Sequence, residues 1–342
     1  MSEAEPPEAW PSASPKASRD QPYDWNQHSA QPPRASRVLL LDETLRDGIQ
    51  SPSVCDPSIE DKLQIVHLLD QLGVEHVTLA MPGGGQRAFD DALRLAQEIA
   101  NHRLRIRPGC AARTVVQDIR PIAEIAQRSG IAIEVMAFIG SSPIRLDAEA
   151  WDVPRLTRLS TEAVDFAVRS GLPCCFVTED TTRAQPELLE LLFRSVLDCG
   201  AQRLCLCDTV GHATPEGVRS LLAFTRGVID RMGLSHPIGI DWHGHNDRGL
   251  ALINALCALQ SGADRVHGTV LGIGERVGNV ALDQLLLNLQ RLRLLPLGRD
   301  LSRLSDLVQR VARACGVPIP SQYPVRAAGG ADHADGLRRS SI

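Results

Sequence analysis

The feature that most limits what this chain can become is an eightfold alternation starting at Val38. Short apolar runs lie at 38–41, 76–80, 104–109, 131–138, 173–178, 203–208, 238–243 and 265–269. Between and after them lie longer segments of helical period at 58–72, 86–101, 117–129, 153–170, 186–199, 215–232, 249–261 and 280–293. In the first of these, Ile59, Leu63, Val66 and Leu69 form one apolar stripe. Ser58 precedes it as an N-cap, with Glu60 and Asp61 in the first turn. Thr214-Pro215-Glu216 is a second start signal, with Pro at the first helical position. The apolar runs are continuous, as in parallel strands buried on both faces. Eight βα units filling residues 38–293 have the size of a (β/α)8 TIM barrel, an α/β fold. A doubly wound sheet is the competitor, but it has no need of unusual residues after so many different strands.

The flanks read differently. Of residues 1–36, nineteen are Pro, Ser or Ala and none is Leu, Ile, Val or Phe, so the segment cannot offset its own ordering entropy. It is expected to be a disordered arm, dispensable for catalysis unless Trp10, Tyr23 or Trp25 docks. The expected organisation is therefore an arm at 1–36, a barrel at 37–293, and a short helical extension with a flexible tail at 294–342. Residues 301–315 supply the extension's helix.

Charge and cysteine usage exclude several classes. A net charge of −5 gives no general basic footprint for nucleic acid. No apolar stretch has the length of a membrane span. Nine cysteines, an odd number with no C-x-x-C, fit a reducing compartment. Cys174-Cys175 and Cys205-x-Cys207 lie inside apolar runs and read as small buried hydrophobes. The N-terminus lacks an apolar signal core, and Glu3, Glu5, Glu8, Asp20 and Asp24 argue against a transit peptide. A cytoplasmic location is expected.

Chemically unusual residues follow the strands. The first run is followed by Asp42-Glu43-Thr44-Leu45-Arg46-Asp47-Gly48-Ile49-Gln50 and the second by Met81-Pro82-Gly83-Gly84-Gly85. Glu179-Asp180 follows the fifth, Asp208-Thr209 the sixth, and His243-Gly244-His245-Asn246-Asp247-Arg248 the seventh. In a barrel these segments meet at one face, where barrel active sites lie. At a strand end residues i and i+2 point to the same side, so His243 and His245 can share one metal, with Asp47 adding a carboxylate. Two imidazoles and a carboxylate with open positions suit a divalent catalytic ion. The alternative is two strand-end histidines bonded to polar neighbours. Gly83–Gly85 reads equally as an anion cradle or a tight turn. Gly272-x-Gly274-x-x-x-Gly278 is no dinucleotide loop, because Val277 stands where the third glycine belongs.

Five ordered motifs carry a resemblance. They are Thr44-Leu45-Arg46-Asp47-Gly48-x-Gln50-Ser51, Thr178-Glu179-Asp180-x-x-Arg183, Asp208-Thr209-Val210-Gly211-x-Ala213-Thr214-Pro215, His243-x-His245-Asn246-Asp247-x-Gly249 and Gly272-Ile273-Gly274-Glu275-Arg276-x-Gly278-Asn279. Together they resemble the DRE-TIM metallolyase superfamily, and its Claisen-condensing branch most: 2-isopropylmalate, citramalate and homocitrate synthases. The resemblance implies one divalent ion (Mg, Mn or Zn) on Asp47, His243 and His245, with Asn279 as a nearby or additional oxygen ligand. It implies that Arg46, with Gln50 and Thr209, binds a 2-oxo acid, and that Glu179 positions an acyl-CoA thioester. The implied reaction condenses the acyl-CoA, acetyl-CoA above all, with the oxo acid and releases free CoA. A homodimer is also implied.

Three departures from that pattern stand out. Ile49 occupies a position where family members usually carry a polar residue, often Glu. Thr78 stands where they usually have Glu at the end of the second strand. Residues 294–342 are short beside the linker subdomains and regulatory domain of the synthases, so leucine-type feedback is not expected. Gly330-Ala331-Asp332-His333-Ala334-Asp335-Gly336 faintly resembles the synthases' Ser-Gly-Ile-His-x-Asp-Gly, which would make His333 a catalytic acid/base acting across the dimer. Without His333, His212 or Glu179 is the next candidate. The rival readings are a lyase or aldolase of the same superfamily, cleaving a C–C bond, and a non-catalytic homologue.

Overall fold

The computed structural model describes residues 38–296 and 298–325. Eight parallel strands close into a barrel in sequential order: β1 (Leu39–Asp42), β2 (His76–Thr78), β3 (Arg107–Arg113), β4 (Glu134–Gly140), β5 (Cys174–Glu179), β6 (Arg203–Asp208), β7 (Gly239–Gly244) and β8 (Arg265–Gly268). Closure is the β1–β8 pair, in which Leu39 faces Arg265 and Asp42 faces Gly268. Around the barrel run α1 (Ile59–Gln71), α2 (Gln86–Asn101), α3 (Val116–Ser129), α4 (Pro143–Ala148), α5 (Val153–Arg169), α6 (Pro186–Asp198), α7 (Pro215–Met232), α8 (Ala251–Gln260), α9 (Leu282–Arg291) and α10 (Leu304–Cys315). The architecture is the expected TIM barrel.

The local chemistry explains the helix ends. The Ser58 hydroxyl accepts from Asp61 N at 3.2 Å and starts α1. The Thr214 hydroxyl accepts from Gly217 N at 3.2 Å and starts α7, with Pro215 at the first helical position. Left-handed glycines end α3, α7 and α10 at Gly130, Gly233 and Gly316.

Two elements depart from expectation. The third strand runs from Arg107 to Arg113, later than 104–109. It includes Pro108 and Gly109, both buried in the barrel wall, and ends four residues beyond the apolar run. The short helix α4, capped by the Ser142 hydroxyl on Arg145 N at 3.3 Å, has too few residues to show a helical stripe.

Alternation along the strands divides the interior. On β7, Ile240 and Trp242 face outward into the large core beneath the helices. Asp241, one residue over, bonds to Arg203 on β6 and Arg265 on β8, the two neighbouring strands. Leu41, Met136, Cys175, Val177, Cys205 and Cys207 form a small second apolar cluster, with Phe138 against it. All nine cysteines are free thiols, and seven are buried, as expected of small core residues. No described helix is long and apolar enough to cross a membrane. Helix α10 packs on α1, and the Cys55 N–H donates to Cys315 O at 2.9 Å. The loop leading into α1 is thereby tied to the extension.

Candidate active site

The first strand ends in a widened turn. The Gly48 N–H reaches back five residues to Glu43 O at 3.0 Å, the π-helical pattern common at functional sites. This turn carries Arg46 and Asp47. The Glu43 carboxylate is fully buried and holds the Arg46 guanidinium through Nε at 2.7 Å and Nη2 at 2.7 Å. Arg46 Nη1 lies 3.4 Å from Asp47 Oδ2. Glu43 has no role in the sequence reading. Its signal was present, an acid three residues before the arginine in the same turn.

Across the mouth, His243 Nε2 is 3.4 Å and His245 Nε2 3.7 Å from Asp47 Oδ2, and the two nitrogens are 3.2 Å apart. All three residues are buried. Burial by itself would raise the Asp47 carboxyl. Arg46 and the two imidazoles instead hold it well below the usual carboxylate range. Burial pushes His245 down to about 3, and the neighbouring His243 adds to this. Burial would also lower His243, but its hydrogen bond to Asp47 leaves it raised. A second proton on the pair is therefore disfavoured.

This donor set fits a divalent ion. Two imidazole nitrogens and a carboxylate oxygen converge in a triangle whose sides match ligand–ligand spacings around a small cation. Among the described residues His245 Nδ1 has no hydrogen-bond partner. Asn279 supports the group: its Nδ2 donates to Asp47 Oδ1 and to Ile273 O, both at 3.1 Å. With that end of the amide committed, Oδ1 is the atom Asn279 has left for an ion. Gly274 makes the approach possible, because a Cβ there would run into Asn279 Nδ2 and press on Asp47. Gly278 likewise crosses the Gly272 carbonyl too closely for any side chain.

The remaining predicted residues are placed as follows. Thr209 lies after β6, and its hydroxyl accepts from Asp180 N at 2.8 Å. Glu179 ends β5 and faces Arg145 Nε at 3.2 Å. Burial raises the Glu179 carboxyl, Arg145 opposes this, and Asp180 and Glu275 reinforce it. Arg145 is absent from the sequence reading because α4 is. Gln50 is exposed, and its N–H donates to Asp47 O at 3.0 Å. His212 is exposed, and its N–H donates to Asp208 Oδ1 at 2.7 Å. Arg276 bonds to Asp247 at 2.8 Å and to Thr209 O at 2.5 Å, cross-linking the loops after β6, β7 and β8. Of Gly83–Gly85, Gly83 is required by packing, since a Cβ there would strike Asp118 at 2.8 Å, and Gly85 by its positive φ of 146° at the end of the turn. Thr78 is buried, its hydroxyl 3.3 Å from the Met136 sulfur, and Ile49 packs on the core. Residues 1–36, with Trp10, Tyr23 and Trp25, and the tail with His333 lie outside the described residues.

The homocitrate synthase AksA of Methanopyrus kandleri is 33% identical over 310 residues, covering 89% of this chain and 73% of that protein. A 2-isopropylmalate synthase of Pyrococcus furiosus is 30% identical over 312 residues, covering 90% and 61%. A putative (R)-citramalate synthase CimA of Methanopyrus kandleri is 32% identical over 314 residues, covering 92% and 58%. The chain thus spans about three-fifths of the length of the last two. Among solved structures, the hydroxymethylglutaryl-CoA lyase of Pseudomonas aeruginosa superposes with a TM-score of 0.66 at 20% identity, covering 90% of this chain and 99% of that one. That likeness is one of fold. The family model described as HMGL-like matches residues 37–311, from just before β1 into α10, and with relatives at this level of identity the chain belongs to that family.

Proposed function

We propose that the protein condenses an acyl-CoA, acetyl-CoA first, with a 2-oxo acid, releasing CoA and a 2-alkylmalate-type product. The observation that carries this reading is the meeting of Asp47, His243 and His245 with Arg46 at the mouth of a barrel whose relatives bear synthase names. A divalent ion held by Asp47, His243 and His245 would supply Lewis acidity to the keto group of the oxo acid. Arg46, oriented by Glu43, presents a planar donor to the same keto oxygen or to the carboxylate beside it. The Thr209 hydroxyl, whose oxygen is already engaged by Asp180 N, keeps its proton to donate to the substrate carboxylate.

The reaction requires a proton to leave the acyl methyl group. The resulting carbon attacks the keto carbon, the keto oxygen takes up a proton, and water then cleaves the thioester to a carboxylate and the CoA thiol. Glu179 is the described carboxylate best suited to position the thioester or take that proton. It is half-buried, made more basic by burial, and oriented by Arg145. The apolar cluster of Leu41, Met136, Cys175, Val177, Cys205 and Cys207 favours an oxo acid with an apolar side chain. Homodimeric assembly and an acid/base role for His333 complete the proposal.

Thiol release from acetyl-CoA across a panel of 2-oxo acids tests it. Release with at least one oxo acid, abolished by a chelator and restored by a divalent ion, is expected. Silence across the panel, with cleavage of a 3-hydroxyacyl-CoA instead, would overturn it in favour of C–C cleavage.

A further inference from the structure

On the outer surface of the barrel a second group of imidazoles meets a carboxylate. His67 lies on α1, Glu98 in the last turn of α2, and His102 just past its end. One oxygen, Glu98 Oε1, is 2.9 Å from His67 Nε2 and 3.1 Å from His102 Nδ1. The three donor atoms lie within 4.8 Å of one another. The two rings stand nearly perpendicular, with centroids 5.3 Å apart. The carboxylate is set in place independently: Arg94 Nη1 binds its other oxygen at 2.9 Å, and Glu98 as a whole is buried. His67 is half-buried and His102 exposed, so one side of the group is open to water.

We infer that His67, Glu98 and His102 form a second metal site, of zinc class, outside the barrel and separate from the mouth. Two imidazoles and one carboxylate with a solvent position are a recurrent zinc donor set. The donors sit near the spacing a tetrahedral ion needs, with bond lengths of about 2.0–2.1 Å. Arg94 does not compete, because it occupies the oxygen facing away from the imidazoles, and it supplies the kind of outer hydrogen bond that orients a ligating carboxylate. An ion there would pin α1 to α2.

Equilibrium dialysis of the full chain against Zn2+, with metal analysis, tests the inference. The unaltered chain should carry one more equivalent than the His67→Ala/His102→Ala double variant. Glu98→Gln preserves the shape of the network but removes the charge, and should weaken the extra site by more than the ~10–100-fold typical of losing an outer partner. Co2+ should give the intense visible bands of a tetrahedral ion, missing from the double variant. The same number of equivalents in both chains, or an extra equivalent that Glu98→Gln leaves at full affinity, would overturn the site. His67 and His102 lie outside the apolar core, Glu98→Gln keeps the shape of the buried side chain, and circular dichroism checks that each variant folds.

Discussion

The mouth of the barrel and its inner floor are built from the same residue types but solve opposite problems. On the floor, Asp241 takes Arg203 Nε at 2.7 Å on one oxygen, and Arg265 Nε at 2.7 Å and His267 Nε2 at 3.0 Å on the other. Arg265 also meets Glu134 at 2.7 Å. Two guanidiniums face two carboxylates, so the floor is neutral. At the mouth one guanidinium, Arg46, faces two carboxylates, Glu43 and Asp47, and two imidazole nitrogens stand 3.2 Å apart. The protein supplies its own counter-charge on the floor and leaves it short at the mouth. Charge crowding inside a barrel therefore marks a functional site only where the pairing is incomplete.

Substitutions can break this contrast from either side. The largest effect is expected on the floor. Asp241→Ala leaves Arg203 and Arg265 partly unmatched in the interior, and should cost about 3–5 kcal/mol in urea denaturation. A near-neutral result would mean that water enters the floor and screens it. At the mouth, Arg46→Lys should reduce turnover by roughly 10²-fold, about 2.7 kcal/mol in the barrier, while the thermal midpoint stays within a few degrees. A variant that fails to fold would put Arg46 in the class of the floor arginines. Asp47→Ala should release metal without unfolding the chain, as read by metal analysis and circular dichroism.

A pH effect sharpens the boundary between the two regions. Burial raises the Asp42 carboxyl to about 7, although it accepts from Thr44 N at 3.0 Å and Thr44 Oγ1 at 2.7 Å. Because the folded value lies above the ordinary 3.8, the stability this group contributes is fully present below about pH 4 and lost as pH rises through about 7. Asp42→Asn should flatten the fall in thermal midpoint over that window. An unchanged slope would assign the fall to other groups.

The barrel was legible because its strands and helices differ in period. The runs at 203–208 and 265–269 lie within a residue of β6 and β8. The third strand was misplaced because its second half, Cys110-Ala111-Ala112-Arg113, carries small side chains and an arginine, and no long apolar run. At the mouth, Asp47, His243 and His245 were legible because i and i+2 on a strand share a side, a regularity visible in one dimension. Arg145 on Glu179 was not, since the pair joins a short helix to a strand end with no common spacing. His67 with Glu98 and His102 was hidden for the same reason, because the register between two helices is set by packing.

Barrel closure has a consequence for how the chain comes to function. Val270 N donates to Thr44 Oγ1 across 226 residues, and Asn279 donates to Asp47 across 232. During synthesis Asp47 is made early, but its partners leave the ribosome only after the seventh and eighth strands have been added. Until then the residues proposed to hold the ion are separated by a loop of most of the barrel, and the entropy of closing it opposes any local assembly. Metal affinity at the mouth would thus gauge ring closure. A nascent or nicked chain lacking β8 would have helices and strands yet hold no ion, and an ion that binds only the closed ring would draw the last strand home by mass action.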